Sequence, residues 1–102
     1  MPFRRVASRG DIPVGQGFSV EANGLSLAVF NAGNGRFYAC GGVCPHEDGP
    51  LAEGWLEGES VVCPWHGFDF ELGTGHCRVD PQLSIPVFPV RVTDDAVEVD
   101  LP

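Results

Sequence analysis

Two short segments hold the residues able to do chemistry. The first reads Cys44-Pro45-His46, and sixteen residues later the second reads Cys63-Pro64-Trp65-His66-Gly67. Each offers one thiolate and one imidazole. Deprotonated sulfur and neutral imidazole nitrogen are the donors of a four-coordinate metal centre, here brought together from two loops. The same four donors can serve two metals when inorganic sulfide bridges them. Zinc modules with two Cys and two His usually group like ligands, C-x₂₋₄-C and then H-x₃₋₅-H, with the His pair on a helix. In this chain Cys and His alternate. Pro45 and Pro64, with Gly41, Gly42, Gly49 and Gly67, also argue against a helix at either segment.

Little else in the chain is reactive. No nucleophile–base pair or phosphate-binding glycine loop is readable, so the chain is expected to do no chemistry on a substrate itself. His76 has no partner at metal spacing and reads as a surface residue. Cys40 and Cys77 read as small, partly buried residues, because a cytosolic chain rarely keeps disulfides.

The elements that must position the two segments are short strands. Phe3–Ala7 and Phe18–Glu21 read as strands, and Asn23-Gly24 is a type I′ hairpin signal leading into Leu25–Phe30. After the turn Gly33-Asn34-Gly35, Arg36–Cys40 runs directly into the first segment. Leu51–Glu59, with Gly54 and Gly58, reads as a turn-rich connection, and Ser60–Val62 is a strand that delivers Cys63. Phe68–Leu72 alternates apolar and acidic residues. Ile85–Val92 and Ala96–Leu101 read as a closing hairpin, its first strand at an edge or bulged because Pro86 and Pro89 cannot donate. No helical periodicity is evident, so the fold class is all-β, a sandwich or barrel.

Composition narrows the function classes. At 102 residues the chain is one domain. Net charge is −8 and lysine is absent, which disfavours nucleic acid as a partner. No apolar run reaches the roughly 18 residues of a membrane span, and Met1–Arg5 lacks the apolar stretch of a signal peptide, so a cytoplasmic location is expected. Between Gly41 and Cys77 there is no Arg, yet Glu47, Asp48, Glu53, Glu57, Glu59, Asp69 and Glu71 fall there. That distribution reads either as a solubilising surface or as an acidic collar that steers a basic partner toward the loops.

The pattern C-x-H, sixteen residues, C-x-x-H-G resembles the two cluster-binding loops of Rieske [2Fe–2S] proteins, and the likeness extends over nearly the whole chain, as in a small Rieske ferredoxin. The resemblance implies one [2Fe–2S] cluster, with Cys44 and Cys63 on one iron and His46 and His66 on the other. It implies an antiparallel β-sandwich base, residues 1–40 and 85–102, carrying an inserted cluster-binding subdomain at about 41–84. It further implies an electron carrier, a monomer when free, between a flavin-dependent ferredoxin reductase and the terminal oxygenase of a system acting on aromatic rings. A relative with the same fold, the small subunit of an assimilatory NAD(P)H nitrite reductase, is the second reading. A zinc-stabilised interaction module without redox function is the third.

High-potential members of the family carry an inter-loop disulfide and Ser and Tyr hydroxyls that donate to sulfur. At the corresponding places this chain has Gly49 and Trp65, and Phe68 and Phe70. Fewer donors to sulfur, with the acidic collar, imply a low potential. Trp65, between two ligands, is read as shielding the cluster or as an apolar docking surface. By resemblance Pro81 lies in a third loop beside the cluster.

Overall fold

The computed structural model describes residues 3–44, 49–65 and 67–101. Among them the strands are β1 (Phe3–Ser8), β2 (Gly17–Ala22), β3 (Leu25–Gly33), β4 (Arg36–Gly41), β5 (Trp55–Glu57), β6 (Ser60–Val62), β7 (Asp69–Glu71), β8 (Val87–Phe88), β9 (Val90–Thr93) and β10 (Ala96–Asp100). They form three antiparallel sheets, ordered β1-β10-β9, β2-β3-β4-β8 and β5-β6-β7. The only helical turns among the described residues are two of 3-10 type, at Arg9–Asp11 and Leu51–Glu53. The all-β expectation holds.

The four-stranded sheet is central because it is apolar on both faces. Side chains alternate across a strand, so Leu27 and Val29 of β3, with Phe37 and Ala39 of β4, share one face. That face packs with Val97, Val99 and Leu101 into one core. Ala28, Phe30 and Cys40 share the opposite face and meet Leu51, Val61, Phe70, Leu72 and Ile85 in a second core. Leu27 to Phe30 are therefore all wholly buried, which is what four consecutive apolar residues mean in a strand covered from both sides. The first core closes the sandwich; the second fastens the β5-β6-β7 sheet to it.

Two hairpins are set by their turn residues. Asn23 and Gly24 have φ of 53° and 77°, and Asn34 and Gly35 have 56° and 76°, the left-handed pair that a type I′ turn requires.

Two segments differ from the sequence reading. Leu51–Glu59 is not merely a connection, since Trp55–Glu57 pairs with Val62–Ser60 as an edge strand. Three residues are too few to show a period, and the flanking Gly54 and Gly58 resemble loop punctuation. Ile85–Val92 is not one strand of a closing hairpin. It changes sheets at Pro89, where β8 pairs with β4 on one side and β9 with β10 on the other. Proline cannot continue a ladder, and both pieces lie at sheet edges as its missing donor demands.

Candidate metal centre

The two cysteines sit at the bases of two loops built the same way. Val43 bridges Pro50 and Val62 pairs with Asp69, so Cys44 and Cys63 each follow directly on an antiparallel pair. The Cys44 N–H donates to the Gly49 carbonyl at 2.8 Å, and the Cys63 N–H donates to the Phe68 carbonyl at 2.7 Å. In both loops the bond runs from the cysteine to the residue five positions on, and the histidine lies inside the closed span. His46 and His66, with Pro45, Glu47 and Asp48, lie outside the described residues.

Cys44 is 0 % exposed and Cys63 1 % exposed. The Cys44 side chain is near enough to the Cys63 thiol to perturb it. Burial pushes the Cys63 thiol above its ordinary value; the Trp65 backbone N–H bonded to its sulfur pulls it down, and the hydrogen bond and proximity to Cys44 push it up again. Two buried cysteine sulfurs presented side by side are what a cationic group shared between them would use as ligands. The donor chemistry therefore fits a thiolate-bound metal. Among the described residues no group of three or more His, Cys, Asp and Glu comes together, so the described part of the site is this cysteine pair.

On the Gly49 side the Cys63 sulfur is closely packed. A methyl group placed on Gly49 would lie 2.8 Å from Sγ of Cys63 and 3.3 Å from Cγ and Cδ2 of Trp65. One placed on Gly54 would lie 1.9 Å from the carbonyl oxygen of Val62, the residue before Cys63. The glycines act here by absence of volume. Gly54 gave no signal of this in the sequence beyond its being a glycine.

The remaining residues fall as follows. Phe70 is wholly buried in the second core, and Phe68 packs against it. Cys40 and Cys77 are free and buried in that core, Cys77 accepting from the Asp80 N–H at 3.3 Å; they are more deeply buried than expected. His76 is exposed, as is Pro81. Glu53, Glu57, Glu59 and Glu71 are exposed, but the collar is not bare. Arg36 pairs with Glu59 at 3.4 Å and Arg78 with Asp69 at 3.6 Å, two cations that lie outside the 41–77 stretch in sequence and return to it in space. Among the described residues no helix is long and apolar enough to cross a membrane.

Known proteins are similar to this chain in sequence and in fold. The 3-phenylpropionate/cinnamic acid dioxygenase ferredoxin subunit of Shigella boydii is 34 % identical over 94 residues, covering 90 % of this chain and 87 % of that one. The structure of a complex of reduced oxygenase and oxidised ferredoxin in carbazole 1,9a-dioxygenase contains a chain that superposes with a TM-score of 0.83 at 33 % identity, covering 95 % of this chain and 91 % of that one. A Mycobacterium tuberculosis protein assigned as an NADH-dependent nitrite reductase small subunit gives a TM-score of 0.89 at 28 % identity, with 96 % and 93 % covered. The Rieske [2Fe-2S] domain matches residues 3–89. That match runs from β1 through β8 and takes in both cysteine loops, and on it the chain belongs to the Rieske [2Fe-2S] domain family.

Proposed function

We propose that this protein is the ferredoxin component of a ring-hydroxylating oxygenase system, carrying single electrons on a Rieske-type [2Fe–2S] cluster. The observation that supports this best is the matched pair of backbone closures that brings Cys44 and Cys63 into one buried cluster. The curated relatives at 34 % identity are ferredoxin subunits of a 3-phenylpropionate/cinnamic acid dioxygenase. Cys44, His46, Cys63 and His66 are the ligands in this reading, the thiolates on one iron and the imidazoles on the other. When bound, the cluster supplies a one-electron redox couple, at a potential raised by the two neutral ligands. The chain's own residues exclude water from the sulfurs, fix the separation of the two loops and donate the Trp65 backbone N–H to Cys63.

The cluster-binding subdomain is about residues 41–84 in this reading, inserted in a base of 1–40 and 85–102; the β5-β6-β7 sheet lies wholly within the inserted part. The donor is a flavin-dependent reductase and the acceptor a terminal oxygenase, met in turn by a monomer. Four free cysteines suit a reducing cytoplasm. The steering of a basic partner surface by the exposed glutamates suits an encounter that must form and separate quickly.

The test is direct. Purified protein is expected to be red-brown, to contain two irons and two sulfides per chain by the family's stoichiometry, and to bleach with dithionite. A colourless, zinc-loaded protein would overturn the proposal. The likeness to the nitrite reductase small subunit favours a second reading, in which the carrier serves that enzyme. Electron delivery to a purified oxygenase, absent with a nitrite reductase large subunit, separates the two.

A further inference from the structure

Trp65 is 48 % exposed, on a loop, one residue from a ligand of the proposed centre. A half-exposed indole in that place invites the view that it waits for a partner protein. Its buried side gives another answer. Gly49 belongs to the first loop and Trp65 to the second, and a methyl group on Gly49 would stand 3.3 Å from two atoms of the indole ring. The ring therefore lies against the bare backbone of the opposite loop. Gly49 is not among the glycines with positive φ, so space and not backbone conformation is what keeps the position free of a side chain. The same methyl would stand 2.8 Å from Sγ of Cys63, which places that sulfur directly beside the Gly49–Trp65 contact.

We infer that Trp65 is a positioning residue, a clasp in which the indole of the second loop packs on Gly49 of the first, holds the two loops together and covers the Cys63 sulfur. Each loop is closed by a backbone hydrogen bond of its own, Cys44 N–H to the Gly49 carbonyl and Cys63 N–H to the Phe68 carbonyl. The Gly49–Trp65 contact is an apolar link between the two loops. An aromatic ring suits the task, because it offers a large flat contact with few rotatable bonds. The inference rests on the cluster-carrying reading above and deepens it.

The test compares holoprotein with Trp65→Ala, Trp65→Phe, Gly49→Ala and, as a control, Trp55→Ala, the other half-exposed tryptophan at 46 %. Each is mixed with excess ferrous-iron chelator, and the loss of visible absorbance is timed. Trp65→Ala is expected to shorten the lifetime of the colour about tenfold, with Trp65→Phe recovering most of it. Gly49→Ala should also shorten it, by forcing the loops apart, and Trp55→Ala should leave it within twofold. A Trp65→Ala lifetime within twofold of the parent would overturn the clasp, the more so if electron delivery to the oxygenase were slowed, which would make Trp65 a docking residue. The two proposals fail separately. A colourless parent protein overturns the cofactor reading, whereas a coloured parent with an insensitive Trp65 overturns only the clasp.

Discussion

The Tyr38 hydroxyl, on the central sheet, donates to Oε1 of Glu59 at 3.0 Å, on the turn that joins β5 to β6. Arg36 donates to the same hydroxyl and lies over the ring, 5.6 Å from its centre, while its guanidinium pairs with Glu59. The Glu59 carbonyl in turn accepts the Leu72 N–H at 2.9 Å. One exposed glutamate thus ties the cluster-side sheet to the central one.

Tyr38→Phe keeps the ring and removes the hydroxyl. Arg36 and Glu59 are more than half exposed, so water replaces much of what is lost. The expected cost is about 0.5 kcal/mol, a fall in Tm of roughly 2–4 °C by differential scanning calorimetry. No change at all would mean that the network follows the fold without supporting it.

Gly54 and Gly58 flank the same strand and should respond to alanine for different reasons. At Gly54 the new methyl meets the Val62 carbonyl at 1.9 Å, a backbone atom that cannot step aside while Val62 stays paired with Trp55 and Asp69. At Gly58 nothing lies within 4 Å, but φ is +62°, so the cost is conformational, about 1–2 kcal/mol. Gly54→Ala is expected to cost about 2–3 kcal/mol and, because Val62 precedes Cys63, to lower iron per chain as well. Gly58→Ala should lower Tm while iron per chain stays full. Equal iron contents in the two variants would contradict this division.

The legible parts of the molecule were those written in local chemistry. The Cys/His alternation carries the family, and Asn23-Gly24 and Asn34-Gly35 carry their hairpins, because a left-handed residue pair needs particular residue types. Volume relations across the chain were not legible. Nothing local marks Gly54 as touching Val62, Gly49 as lying under Trp65, or Arg78 as returning to Asp69, since each depends on how distant strands are registered. The change of sheet at Pro89 was half legible. The prolines indicated an interruption but not that the two halves belong to different sheets. His46 and His66 rest on the motif alone, because both lie outside the described residues.

Cys40 supplies a prediction in alkali. It is 0 % exposed, and burial pushes its thiol from an ordinary 9.0 to about 12. The folded chain then keeps a proton that the unfolded chain releases. Stability lent by the protonated thiol is complete below about pH 9 and declines as pH rises toward about 12. One proton gives a slope of at most about 1.4 kcal/mol per pH unit. Cys40→Ala removes that slope, though it also lowers stability at neutral pH by deleting a buried sulfur. Unfolding free energies from pH 8 to 11 are therefore to be compared by slope, and parallel lines for the two proteins would refute the assignment.

The reduction potential is expected near the low end of the Rieske window of about −150 to +300 mV. Two influences point that way, and their sizes differ. The exposed carboxylates are screened by water and salt, and Arg36 and Arg78 offset two of them, so their share is small. Hydrogen bonds to sulfur act at contact distance and are not screened. Beside the sulfurs the structure has the Trp65 backbone N–H on Cys63, whereas Phe68 and Phe70 bring no hydroxyl. Phe70 is wholly buried in the second core, which also holds both cysteines, so Phe70→Tyr introduces a hydroxyl donor into that core. The variant should have a higher potential than the parent in a redox titration, and Glu57→Gln at an exposed site should barely move it. A parent value well above zero, or a Glu57→Gln shift larger than that of Phe70→Tyr, would reverse the ranking of the two influences.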